Sequence, residues 1–215
     1  MLDKEPMKAY RWEDSRTRAH CYLLPSIERI FDKLRVLKDA VILDAGCGGG
    51  HIAQELYNKN YKNIWGFDAS ESGIEIAKNI LKGVENRFEV HNAYHIELPS
   101  SFPKKGYDIV LSVEVIEHMY SPKKYLENIG FWLKKGGILI ITTPYHGYIK
   151  NLFTCLSNKF DKHFNPLWEG GHIKFFSKNT LYRLLKEVAI RPKKCYGSGR
   201  LPFLWKSMIV VGQND

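Results

Sequence analysis

The chain has 215 residues, 44% hydrophobic and 26% charged, with 32 Lys and Arg against 23 Asp and Glu, a formal net charge of +9. This balance predicts a single globular domain over residues 1–215 with a buried core, and it excludes a disordered or low-complexity chain. No apolar run approaches the roughly 18 residues of a spanning helix. The charged start Met1-Leu2-Asp3-Lys4-Glu5-Pro6 is unlike a signal peptide, so a cytoplasmic location is expected, and four cysteines with no C-x-x-C pair argue against a disulfide framework or a zinc-thiolate site.

Residues 1–24 precede the first core helix and carry Tyr10, Trp12, His20 and Tyr22. Residues 41–43 form a short β-branched run that ends in Asp44 and a glycine cluster, the pattern of a buried strand. From His51 the spacing of Ile52, Ala53 and Leu56 predicts a helix. Residues 63–67 read as a second strand closed by Asp68. Ser70 then caps a helix carrying Ile74, Ala77, Ile80 and Leu81, with Gly83 as its stop. A third, weaker strand is expected over 87–91 and a fourth over 107–112. Pro122 opens a helix bearing Tyr125, Leu126, Ile129, Trp132 and Leu133, ended by Gly136-Gly137 ahead of a fifth strand over 138–142. Ser177 caps a helix with Leu181, Leu184, Leu185 and Val188. Two late strands follow near 193–196 and 207–211, without a helix between them, as an antiparallel hairpin.

This alternation predicts a seven-stranded, doubly wound, Rossmann-like α/β sheet, mostly parallel with an antiparallel last strand and helices on both faces. Within it, residues 25–144 form the nucleotide-binding core. Residues 145–176, dense in aromatics and histidines, form an insertion too long for an ordinary connection, and residues 177–215 complete the sheet. Long ordered insertions of this kind are typically functional lids, so residues 145–176 are expected to cover a substrate.

The segment Asp44-Ala45-Gly46-Cys47-Gly48-Gly49-Gly50 is a strand, a side-chain-poor turn and a helix start, where a ligand can approach the backbone closely. Glycines at 46, 48 and 50 give G-x-G-x-G. The dinucleotide pattern G-x-G-x-x-G places its third glycine at position 51, where His51 stands. Asp44 puts a carboxylate at the turn, which disfavours a pyrophosphate and suits a ligand carrying an ammonium and a sulfonium. Asp68, ending the second strand, can accept hydrogen bonds from both ribose hydroxyls. These residues point to S-adenosylmethionine.

On these residues the chain resembles the class I S-adenosylmethionine-dependent methyltransferases, strongly over residues 40–145. Within that class it is most similar to the ubiquinone-biosynthesis O-methyltransferase group. The matching segments are the glycine turn at 44–50, Gly66-Phe67-Asp68, Ser112-Val113-Glu114-Val115-Ile116-Glu117-His118, and Lys135-Gly136-Gly137. The resemblance implies cofactor contacts from Asp44, Gly46, Cys47, Gly48, Gly50, Asp68, Ala69 and the Val113 backbone. Asn92-Ala93 stands where many members carry Asp-Ala beside the adenine. In the same group a Glu-x-x-Glu-His set has been linked to a divalent metal, which implies Glu114, Glu117 and His118 as ligands. The other uses of these side chains are helix-terminus electrostatics for the two glutamates and general-base catalysis for His118. His146 is a second catalytic candidate, with His172 as its rival. Tyr10, Trp12, Tyr145 and Trp168 are candidate walls for a planar or apolar substrate.

The expected reaction is O-methylation of a small-molecule hydroxyl, on a quinone-precursor phenol or a sugar. A polyprenyl-tailed, lipid-linked acceptor would bring a basic surface to a membrane periphery, and a sugar acceptor would belong to a glycan. Nucleic acid is disfavoured, because the (Asp/Asn)-Pro-Pro-aromatic set of amino-methyltransferases and the cysteine nucleophile of cytosine C5 enzymes are both missing after the fourth strand. The alternatives are methyl transfer to nitrogen or RNA, a non-catalytic S-adenosylmethionine-binding subunit, and a nicotinamide-dependent reductase.

Overall fold

A computed structural model describes residues 18–165, 167–168 and 170–215. The elements run α1 Arg18–Leu34, β1 Ile42–Ala45, α2 His51–Asn58, β2 Ile64–Asp68, α3 Glu71–Ile80, β3 Phe88–Val90, β4 Tyr107–Val113, α4 Pro122–Trp132, β5 Leu133–Pro144, α5 Tyr148–Leu156, α6 Phe160–His163, α7 Lys178–Glu187, β6 Ile190–Ser198 and β7 Ser207–Asn214. The seven strands form one sheet in the order β3-β2-β1-β4-β5-β7-β6. Strands β3 to β5 pair in parallel, and β7 lies antiparallel to both β5 and β6.

Side chains alternate along the strands between two hydrophobic layers. Val110, Leu139, Ile141, Met208 and Val210 face a layer shared with Tyr125, Ile129 and Trp132 of α4 and Leu181 and Leu185 of α7. Ile109, Leu111, Ile140, Ile209 and Val211 face the other, shared with Leu23, Ile27 and Phe31 of α1, Ile52 of α2 and Ile74 of α3. Helices therefore cover both faces, and that is why the strands read as continuous apolar runs. Neighbouring β1 and β4 connect outward in opposite directions, so their carboxyl ends form the switch point where doubly wound sheets open a ligand crevice.

The structure moves three expected boundaries. α1 begins at Arg18 and passes through Pro25, so it runs across the expected break at residue 24. Its Tyr22 hydroxyl bonds Ser207 Oγ at 3.0 Å, and Ser26 Oγ bonds Ser198 Oγ at 2.9 Å, which tie α1 to β6 and β7. Tyr10 and Trp12 lie outside the described residues. α4 stops at Trp132, before the glycine pair, and β5 starts at once with Leu133 opposite Tyr107, where a register shift in the β4–β5 ladder absorbs the mismatch. Residues 145–176 contain the two short helices α5 and α6. Among the described residues no helix is long and apolar enough to cross a membrane.

Ser177 opens α7 with a reciprocal capping box, its side chain accepting from Thr180 N and the Thr180 side chain accepting from Ser177 N. Ser177→Ala is expected to cost about 1 kcal/mol. Ile140→Ala, which empties a fully buried position in the sheet centre, is expected to cost about 2–5 kcal/mol. Denaturant unfolding measures both.

Candidate active site

The turn after β1 is held in place by the end of β2. The amides of Gly46 and Cys47 both donate to the Phe67 carbonyl, at 2.8 and 2.9 Å. Gly48 N donates to Asp68 Oδ2 at 2.9 Å, and Ser70 N donates to Asp68 Oδ1 at 2.8 Å. Gly46 has φ +82°, and a Cβ there would stand 2.5 Å from Val115 Cγ2, so only glycine fits. Asp68 is buried, and burial raises its pKa while the amides of Ser70, Gly48 and Ala69 pull it back. Each carboxylate oxygen that accepts one amide keeps a second lone pair.

Asp44 is 1% exposed, and its Oδ2 has no hydrogen-bond partner among the described residues. Burial first, and then the charge of Asp68, push its carboxyl up to about 7. A carboxylate in this position is costly until a cation neutralises it. The Cys47 thiol is also buried and raised well above its ordinary value, by burial and then by Asp44 and Asp68. Cys47 therefore contributes its backbone and no reactive thiolate.

A cleft opens beside this turn. Gly46, Asp68, Ala69, Asn92, Ala93 and His118 line it together, joined by Phe67, His91, Tyr94, Val115 and Met119. Asn92 Oδ1 accepts from Tyr94 N at 2.9 Å, shaping the loop on which Ala93 and Tyr94 sit. Val115 reaches the cleft wall, whereas Val113 packs against the α1–α3 layer of the core. Phe67, His91, Tyr94, Val115 and Met119 are the lining residues that sequence reasoning missed. The signal for two of them was present, since Val115 and Met119 flank or interrupt the Glu-x-x-Glu-His segment.

That segment does not gather its two glutamates into one site. Glu114 has φ +55°, a left-handed conformation uncommon outside glycine. Its carboxylate accepts from Thr142 Oγ1 at 2.7 Å and Ser207 Oγ at 3.1 Å. Burial pushes its pKa up to about 7, against the pull of those hydroxyls and of Lys150. Glu117 is fully buried, and neither of its carboxylate oxygens has a hydrogen-bond partner among the described residues. Its pKa is raised by burial and then by Glu114, while its own backbone amide and the nearby Thr143 hydroxyl pull it back.

His172 comes in from the insertion, with its Nε2 3.9 Å from Glu117 Oε1. The Glu117 carbonyl fixes that approach, because Ile173 N and Lys174 N both donate to it at 2.9 Å. His118 closes the contact from the other side, with Nδ1 2.9 Å from the Gly170 carbonyl and 3.2 Å from that of Gly171. Carbonyls only accept, so Nδ1 carries the proton and neutral His118 presents its lone pair at Nε2. Glu117, His118 and His172 bring donor atoms within 4.8 Å of one another. Of the three residues expected as ligands, Glu114 has its carboxylate engaged by Thr142 and Ser207, and His172 stands beside Glu117 and His118.

His172 also faces a second cavity of about 620 Å³, lined by Pro144, His146, Lys150, Phe160, Phe164, Asn165, Trp168, Phe175, Arg200 and Lys206. His146 lies edge-on to Phe175, their ring centroids 5.2 Å apart. Tyr145 does not line this cavity and packs against Trp205 at 5.1 Å. The rings of His118 and His172 stand 4.9 Å apart, one lining the cleft and the other the cavity. Burial is the first cause lowering both pKa values, and His172 falls to about 4, with the charges of His118, His146 and Lys150 adding to the effect.

Comparison with known proteins identifies the family. The methyltransferase-domain family matches residues 12–188. The ubiquinone biosynthesis O-methyltransferase of Rickettsia bellii is 29% identical over 171 residues, covering 80% of this chain and 70% of that protein. Among solved structures, the magnesium protoporphyrin IX methyltransferase of Synechocystis with bound SAH superimposes with a TM-score of 0.67 at 15% identity, over 90% of this chain and 82% of that one. The [4+2]-cyclase SpnF superimposes with 0.66 at 14% identity, over 96% and 83%, so the fold by itself serves more than one chemistry. The family match over most of the sequence decides between them: the chain belongs to the methyltransferase-domain family and is an S-adenosylmethionine-dependent methyltransferase.

Proposed function

We propose that the chain transfers the methyl group of S-adenosylmethionine to a hydroxyl oxygen on a small aromatic acceptor. The observation that carries this reading is the imidazole pair His118–His172, which joins a cleft beside the glycine turn to an aromatic-walled cavity. Methyl transfer is a displacement at an activated sulfonium carbon, so the protein chiefly has to align the partners, exclude water and take up one proton. Asp44 receives the cofactor's ammonium and Asp68 its ribose hydroxyls. The turn of Gly46, Cys47, Gly48 and Gly50 gives backbone access, and Ala69, Asn92, Ala93 and Val115 frame the adenosine. The acceptor ring lies among Phe164, Trp168 and Phe175. The proton of its hydroxyl passes to a neutral imidazole, His172 in first place with the Nε2 lone pair of His118 adjoining, and the Glu117 carboxyl stabilises the imidazolium that results. His146 shapes the far wall.

The same donors fit a divalent ion. Glu117 offers a buried carboxylate beside His172, and His118 has its tautomer fixed by the Gly170 and Gly171 carbonyls, as metal-binding histidines commonly do. Such an ion would be of the manganese, iron or zinc type and would lower the pKa of the acceptor hydroxyl. The imidazole route needs no ion, so turnover is expected to survive dialysis against a chelator. A loss restored by manganese or zinc would reassign the three residues as ligands.

The names of the ubiquinone biosynthesis relatives support a phenolic acceptor over a glycan. A lipid-linked acceptor agrees with α5, which exposes Tyr148, Leu152, Phe153 and Leu156 beside Lys159 and can rest on the cytoplasmic face of an anionic bilayer.

Calorimetry with S-adenosylmethionine tests the cofactor half. Because the Asp44 carboxyl sits near 7 before the cofactor arrives, affinity is expected to rise with pH toward about 7 and then level off. The unliganded fold is expected to lose stability over the same rise, as unfolded Asp ionises before the folded residue does. Asp44→Asn is expected to weaken binding by about ten-fold or more and to flatten that profile. Tight binding of NADH in place of the sulfonium cofactor would refute the reading.

For the acceptor half, His172→Ala is expected to lower kcat by about 10²–10⁴-fold while S-adenosylhomocysteine affinity stays constant. Turnover that survives both His172→Ala and His118→Ala would remove the imidazole pair from the chemistry. Firm cofactor binding without turnover on any hydroxylated acceptor would mark a non-catalytic subunit.

A further inference from the structure

We propose that the acceptor carries an oxyanion, a carboxylate or a phosphate on its aromatic body, seated between Lys150, Arg200 and Lys206. The inference rests on reading the 620 Å³ cavity as the acceptor site and adds a charge requirement to it. Three basic side chains line this cavity, and among the described residues no carboxylate does. Lys150 is only 7% exposed. Its Nζ donates to the Lys206 carbonyl at 3.2 Å, which leaves two of its three donors for another acceptor. The nearby acid is Glu114, whose oxygens already accept from Thr142 and Ser207.

Burial first, and then the charge of Arg200, bring the Lys150 ammonium down to about 8 against the partial support of the Glu114 charge, so the cavity still disfavours its own cation while no anion occupies it. Arg200 and Lys206 are exposed on the rim. Lys206 Nζ rests 5.0 Å over the Tyr22 ring. The other titratable groups facing the cavity are His146 and His172, and neither supplies a negative charge. A buried cation beside a second one is costly unless an anion completes the set. A neutral phenol would leave that cost standing, whereas an oxyanion removes it and at the same time sets which end of the ring points to His172.

Calorimetry on the protein saturated with S-adenosylhomocysteine tests the seat, with benzoate, phenylphosphonate and benzamide as probes. Both anions are expected to bind about ten-fold or more tighter than benzamide. That preference is expected to collapse in Arg200→Gln, a rim substitution that leaves the core intact, and in Lys150→Met. The stronger of the two anions identifies the group as carboxylate or phosphate. Benzamide binding as tightly as the anions, or an anion preference that survives Arg200→Gln, overturns the proposal. Turnover is read separately on 3,4-dihydroxybenzoate and 3,4-dihydroxybenzamide. No methylation of either, with the anion preference intact, removes the hydroxyl-acceptor reading and keeps the seat, whereas equal methylation of both without a preference removes the seat alone.

Discussion

Asp68 ends β2 with its two oxygens engaged by main-chain amides from different segments, Gly48 of the glycine turn and Ser70 at the start of α3. One carboxylate thus fixes the turn after β1, the strand beside it and the helix that follows. The Phe67 carbonyl repeats the tie one residue earlier by accepting from Gly46 and Cys47. Gly66 makes the close approach possible, since a Cβ there would meet the Phe88 ring at 2.7 Å and Cys47 Cβ at 3.0 Å. The turn is held rigid by groups that also face the cleft, so binding geometry and local stability rest on the same hydrogen bonds.

The charges of the site are sorted by side. Asp44 and Asp68 lie at the glycine turn, Glu114 and Glu117 lie in the segment after β4, and Lys150, Arg200 and Lys206 line the second cavity. Burial raises every one of these carboxyls and lowers the Lys150 ammonium. Each of them would be better solvated in water, and in a low-dielectric setting each gains most from a ligand of opposite sign. A molecule with a cationic end for one chamber and an anionic partner for the other would satisfy both at once.

Local signals made the cofactor half legible. Strand-length apolar runs, Ser70 and Ser177 as caps and Pro122 at a helix start all reflect short-range chemistry, and the structure keeps each of them. The glycine turn is legible for the same reason, since backbone sterics are written in consecutive residues. The second chamber depends on long-range placement. Spacing alone put Glu114 with Glu117, but the left-handed backbone at Glu114 and the hydroxyls of Thr142 and Ser207, which come from β5 and β7, turn it aside. His172 reaches Glu117 from more than fifty residues along the chain, through main-chain bonds that no side-chain pattern encodes. The cation set of Lys150, Arg200 and Lys206 was likewise hidden among scattered lysines until α5 and the β6–β7 connection met.

The strap at residues 170–174 is fastened chiefly by carbonyls and amides, with Glu117 O receiving two N–H groups and Gly170 and Gly171 offering their oxygens to His118. Beyond the two glycines, where a side chain would strain the backbone at Gly170 or meet the Trp168 carbonyl at Gly171, such fastenings are largely indifferent to which side chains the strap carries. The Ile173 side chain can therefore be exchanged while the strap stays docked, so the acceptor chamber can be reshaped there without rebuilding the apparatus that delivers the methyl group.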